Sequence, residues 1–128
     1  MIKWDSRYEL GNEQIDSEHR TLLGLISDFG EAAKQGATKE KLVQILDEIS
    51  THAEYHFSSE EKIMTGCQYP EQKSHALLHL NLMEDLIDKF WKFKRGAIMA
   101  NEVFQFLFEW FEPHVLIEDK KLVEYVGN

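Results

Sequence analysis

The sequence predicts an all-α fold, an up-down-up-down four-helix bundle with an extended N-terminal arm. Three observations carry this prediction. Apolar residues recur at spacings of three and four along four long stretches, a helical period rather than the alternation of strands. The breaks between stretches are short and hold helix-stopping and helix-starting residues: Gly36 with Thr38, Gly66 with Pro70, and Gly96 before Asn101. Finally, 128 residues suit one domain with one core, so residues 1–128 are expected to form a single unit. Four amphipathic helices joined by short loops pack as antiparallel neighbours.

Residues 1–15 show no helical period. Trp4 and Tyr8 are expected to anchor this arm across the domain, with Gly11 and Asn12 as a turn. The bundle is expected over 16–126. Its first helix should start with Asp16 or Ser17 as cap and end at Gly36, its inner stripe carrying His19, Leu22, Leu23, Ile26 and Phe29. The second should run from a Thr38 cap to about Thr65, with Leu42, Ile45, Leu46, Ile49, Ala53, His56 and Glu60 inward. The third should start near Pro70 or Glu71 and end near Arg95, presenting His75, Leu78, His79, Leu82 and Leu86. The fourth should start near Asn101 and reach about Tyr125, with Val103, Phe104, Leu107, Trp110, Phe111 and His114 on its apolar positions. Pro113 removes a backbone donor inside this last segment, so a kink or break is expected there.

Composition narrows the function. A formal net charge of −9 argues against nucleic acid and against anionic membrane surfaces, both of which demand clustered Lys and Arg. The longest apolar runs fall far short of the roughly 20 residues that cross a bilayer. No basic-then-apolar leader is visible, so a cytoplasmic location is expected. Cys67 is the only cysteine, which excludes an intrachain disulfide and a cysteine-based zinc site.

The histidines are the feature to explain. His56 and Glu60 are four apart, as are His75 and His79, so each pair lies on one helix face, one turn apart. His19 and His114 fall on the inward stripes of the other two helices. Five imidazoles and a carboxylate in one core, without a metal, would leave many polar atoms unpaired. His52, four residues before His56, is read as exposed or as a partner one turn further along. A second carboxylate should come from the fourth helix. Ideal spacing favours Glu118, because Asp119 would point about 140° from His114. A kink at Pro113 or a widened turn would reverse that choice. This is too many ligands for one ion, and iron suits a His-rich, carboxylate-bridged pair.

Four segments now become specific together: IDSEH ending at His19, HFSSEE with His56 and Glu60, YPEQKSHALLH with His75 and His79, and WFEPHVLIED with His114 and Asp119. In this order and at these separations the chain resembles the hemerythrins, and in particular the bacterial hemerythrin-like domains, over essentially its whole length. The resemblance implies a non-haem centre of two iron ions, oxo- or hydroxo-bridged, that binds dioxygen reversibly. It implies His75, His79 and His114 on one iron, His19 and His56 on the other, and Glu60 and Asp119 bridging them. The family's spacing of five from its last histidine selects Asp119 over Glu118. A single open position then remains, on the iron with two histidines. Pro113 beside His114 departs from the family pattern.

The pocket over the open position should be apolar. Leu22 lies one turn from His19, Phe57 follows His56, and Trp110 and Phe106 lie one and two turns before His114. The expected partner is dioxygen, and a monomer is favoured. The leading reading is a non-enzymatic dioxygen binder for storage, delivery or sensing. The alternative is a di-iron oxidoreductase such as a peroxidase or nitric oxide reductase, or a sensor module of a larger signalling protein. Oxygen-activating bundles favour carboxylate-rich ligands and Glu-x-x-His motifs, which the inferred ligand set lacks.

Overall fold

The computed structural model describes residues 3–127; Met1 and Ile2 of the expected arm, and Asn128, lie outside them. The described residues form α1 (Glu13–Lys34), α2 (Lys39–Cys67), α3 (Gln72–Lys94) and α4 (Ala100–Pro113). A wide turn, His114–Asp119, continues α4 into α5 (Lys120–Val126), so the three together make the fourth rod. No strand occurs among the described residues. Each rod packs on the next, and α4 returns against α1, which closes the up-down-up-down bundle.

Local chemistry sets the ends. Thr38 caps α2 by accepting from the Lys41 amide at 3.1 Å. Gly36 and Gly96 follow α1 and α3 with φ of 79° and 81°, the left-handed conformation that ends helices. α2 runs one residue past Gly66 and stops at Cys67, where Gln68 takes the left-handed conformation instead. α4 begins at Ala100, one residue earlier than expected.

The start of α1 differs more. Asn12, not Asp16 or Ser17, is the cap, its side chain accepting from the Ile15 amide at 3.0 Å. Asp16 lies inside the helix and accepts from the Leu10 and Gly11 amides at 2.9 and 3.1 Å, pinning the arm to α1. Nor is the arm extended throughout. Asp5 caps a short 3-10 turn over Ser6–Tyr8, and buried Tyr8 donates to Glu112 Oε2 at 2.7 Å. Burial first, then that carboxylate, push the Tyr8 phenol up to about 12.

The interior has three layers. The larger apolar cluster holds Leu22, Leu23, Ile26 and Phe29 of α1 with Ile45, Leu46, Ile49, Ala53, Leu86, Val103 and Leu107. A smaller one at the opposite end joins Ile15, Met64, Tyr69, Leu122 and Val123. Along α1 and α2, the buried histidines and carboxylates fall between these clusters: His19 between Ile15 and Leu22, and Glu60 and His56 between Met64 and Ala53. The polar layer is therefore sealed above and below by hydrocarbon. In the larger cluster's end, α1 and α4 approach closely. A Cβ on Gly30 would come within 3.0 Å of three ring atoms of Phe104.

Candidate metal centre

Seven side chains from the four rods meet in this layer. Glu60 and Asp119 are fully buried at its middle, and each turns one oxygen to either side. On one side, His75 Nε2 lies 3.3 Å from Glu60 Oε1 and 3.1 Å from Asp119 Oδ1. His79 Nε2 is 3.0 Å from Glu60 Oε1, and His114 Nε2 is 3.1 Å from Asp119 Oδ1. On the other side, His19 Nε2 lies 2.8 Å from Asp119 Oδ2, and His56 Nε2 lies 3.2 Å from Glu60 Oε2. Two groups result, three imidazoles with two oxygens and two imidazoles with two oxygens. Within each, the candidate ligand atoms lie within 4.8 Å of one another.

The arrangement fits a pair of cations. His56 Nε2, His75 Nε2, His114 Nε2, Glu60 Oε2 and Asp119 Oδ1 are all buried, and no hydrogen bond satisfies them. Orphaned polar atoms converging on one spot demand a partner, because each costs about 1–3 kcal/mol if left bare. The nitrogen-to-oxygen separations are also close to the edge of an octahedron around an ion with bonds of about 2.1 Å, roughly 3.0 Å. Electrostatics agree. Burial raises both the Glu60 and Asp119 carboxyls, and the Asp119 charge raises Glu60 further, but the surrounding imidazoles win and hold both well below the usual carboxylate range. Burial lowers His75, yet its contacts with Asp119 and Glu60 outweigh burial and push it up to about 9. The site attracts positive charge.

Asp119 reaches the centre because the helix widens. The Lys120 amide bonds to the carbonyl of Val115, five residues back, so the turn from His114 to Asp119 holds an extra residue. That brings i+5, not i+4, onto the inner face. Pro113 sits just upstream, where its missing donor already interrupts the ladder. Glu118 is left half-buried at the bundle's outside, 3.6 Å from Lys121 Nζ.

Two histidines are held from behind by carboxylates. His56 Nδ1 donates to Glu18 Oε1 at 2.7 Å, and His79 Nδ1 donates to Glu61 Oε2 at 2.8 Å. Burial raises the Glu18 carboxyl, but His56 and Ser59 together bring it below its ordinary value. His52 is neither exposed nor part of the seven. It is half-buried, and its Nε2 donates to the Glu18 carbonyl at 3.0 Å. Sequence reasoning missed Glu18 and Glu61. Glu18 lies three residues after Ile15 and four before Leu22, a carboxylate on an apolar stripe, the signal that singled out Glu60.

Beside His19 and His56 lies a cavity of about 10 Å³, room for roughly one water-sized molecule. Leu22, Phe57, Leu82, Trp110, Phe111 and Val115 wall it, with His114 and Asp119. Phe57 also stacks on His79, ring centres 4.2 Å apart. The expected wall residue Phe106 is not there. It lies a full turn before Trp110, half-buried beside an open groove of about 500 Å³ between α3 and α4. Leu82, Trp110 and His114 line both spaces and separate them. Leu82, Phe111 and Val115 carry no distinguishing signal in the sequence, where they read as plain core.

Residues 10–126 match the family model described as the hemerythrin HHE cation binding domain. A bacteriohemerythrin of Clostridium acetobutylicum is 29% identical over 97% of this chain and all of its own length. A myohemerythrin of Theromyzon tessulatum is likewise 29% identical, over 93% of this chain and 88% of its own. The crystal structure of a wild-type hemerythrin superposes with a TM-score of 0.90 at 21% identity, over all of this chain and 99% of that one, which shows the shared fold. With the family match spanning nearly the whole bundle, and a paired cation cage at its middle, the chain belongs to the hemerythrin family.

Proposed function

We propose that this domain binds dioxygen reversibly at a di-iron centre, for storage, delivery or sensing, and does not turn a substrate over. His75, His79 and His114 would hold one iron and His19 and His56 the other, with Glu60 and Asp119 shared. When bound, the iron pair supplies the electrons that hold dioxygen and recovers them on its release.

The protein's own part is positioning and exclusion. Each carboxylate offers one oxygen to each half, which fixes the spacing of the two cation sites. The cavity on the two-histidine side has room for roughly one water-sized molecule, which limits a bound ligand to very few atoms. Its hydrocarbon walls keep out bulk water and larger substrates. The observation that carries the reading is the chemistry of that wall. Its polar groups, His19, His56, His114 and Asp119, all belong to the proposed ligand set, and the Trp110 indole N–H is committed to the Leu82 carbonyl at 2.9 Å. Among the described residues that wall the cavity, no acid or base outside the ligand set faces a bound molecule, which favours binding over turnover.

The test is direct. Purified protein should carry about two irons per chain; reduced without air and then exposed to it, it should develop a visible band that bleaches under vacuum. Continuous consumption of reductant, with no recoverable band, would overturn the binding reading in favour of a di-iron oxidoreductase. A monomer in the cytoplasm completes the proposal, and sedimentation and cell fractionation test those two points.

A further inference from the structure

The two halves of the cage are unequal. One offers three imidazoles to an ion and the other only two, while both share the same pair of carboxylates. With nothing else to help it, the two-histidine half would bind its ion more weakly. Its histidines also differ in outer support. The second ring nitrogen of His19 is buried without a hydrogen-bond partner. His56 instead donates to a carboxylate that is itself buried, Glu18, only 7% exposed.

Glu18 is held by more than His56. Ser59 Oγ donates to its other oxygen at 2.8 Å, and Gln14 Nε2 donates to Ser59 Oγ at 2.6 Å. His52 fixes its backbone through the carbonyl. Three residues one turn apart on α2 thus converge on one residue of α1. The matching contact on the other half is different in kind. Glu61, behind His79, is 40% exposed, so water screens its charge.

Resting on the di-iron reading above, we infer that Glu18 is a positioning residue that compensates the two-histidine half for its missing imidazole. A buried anion on the far nitrogen of His56 fixes the tautomer that leaves Nε2 free for a metal. It also draws on the ring N–H, making Nε2 a stronger donor. Partners of this kind are typically worth about 10–100-fold in metal affinity. Glu18 should therefore act on one ion and leave the other alone, whereas exposed Glu61 should change neither by much.

The test is an anaerobic ferrous titration of the wild type, Glu18→Gln and Glu61→Gln, followed by calorimetry and by the ring N–H resonances of the reduced protein. The amide of Glu18→Gln can still accept from His56 and donate to Ser59, so the fold should persist with only the charge removed. We expect two ions in the wild type. In Glu18→Gln the second ion should bind at least 10-fold more weakly with the first unchanged, and one imidazole N–H resonance should move. Glu61→Gln should shift affinity less than 3-fold. Should Glu18→Gln fail to fold, Glu18→Asp decides instead. It keeps the charge but draws it one methylene away from His56, and should weaken the same step. Two ions bound with wild-type affinity in the Glu18 variant overturn the proposal, as does an equal loss in Glu61→Gln. A wild type that binds no iron would sink the di-iron reading itself, a result distinguishable from either.

Discussion

The two flanks of the polar layer are built differently. Where α1 meets α2, Gln14, Glu18, His52 and Ser59 form a continuous hydrogen-bonded brace behind His56. Where α3 meets α4, an open groove comes up to Leu82, Trp110 and His114, and the Trp110 indole bonds to the Leu82 carbonyl across the seam. One flank holds side chains still; the other leaves a thin apolar wall between solvent and the cavity. A gas-binding site needs both properties, and this bundle assigns them to opposite seams.

The largest effect expected is on the cage between the flanks. Glu60→Ala removes an oxygen from each half at once and leaves the facing imidazoles bare. Iron content should fall from about two per chain to near zero, and thermal melting should drop with it. A ligand present at 1,000 times its dissociation constant contributes about 4 kcal/mol. Two irons retained in that variant would remove Glu60 from the proposed ligand set.

Breaking the thin flank comes next. Trp110→Ala should join groove to cavity and speed oxidation of the reduced, air-exposed protein about 10-fold, on top of a stability loss of about 3–5 kcal/mol. Trp110→Phe, which keeps an aromatic ring and drops the bond to Leu82, should speed it less. An oxidation rate unchanged in both would mean that this wall does not protect the site.

Acidity sharpens the comparison from the cage side. In metal-free protein the raised His75 value means that its contact with Asp119 and Glu60 stabilises fully below about pH 6.5. That contribution is lost as pH climbs through about 9. A metal must displace that proton, so ferrous affinity should rise steadily from pH 6.5 to 9. A flat profile across calorimetric titrations in that window would contradict this.

The smallest effect lies away from both flanks. Gly30→Ala should cost about 1–3 kcal/mol through the collision with Phe104, read as a lower urea midpoint. In a Phe104→Ala background that cost should largely vanish.

Much of the bundle and its cage is legible in the residues. Helical period and glycine stops place four rods, and inward histidines at spacings of four mark the polar layer. The failures have physical causes. Asp16 looks like a helix cap by type, yet Asn12 caps because Asp16 is engaged by the Leu10 and Gly11 amides. Ideal helical geometry prefers Glu118, and only the family's spacing points to Asp119, because a widened turn leaves no signature in side-chain pattern beyond Pro113 nearby. Phe106 is misplaced by counting turns along one helix, which carries no information about where the facing α3 closes the cavity. Glu18 is findable, since a charged residue on a hydrocarbon stripe is anomalous wherever it occurs.

The extra residue between His114 and Asp119 also governs the remainder of the fourth rod. Everything downstream is turned by one residue's increment, about 100°, relative to an uninterrupted rod. Leu122 and Val123, which stopper the small end of the bundle, owe their inward aim to that offset. Winding the segment into a regular α-helix with every residue kept would therefore swing a carboxylate out of the cage and uncork its base in one stroke.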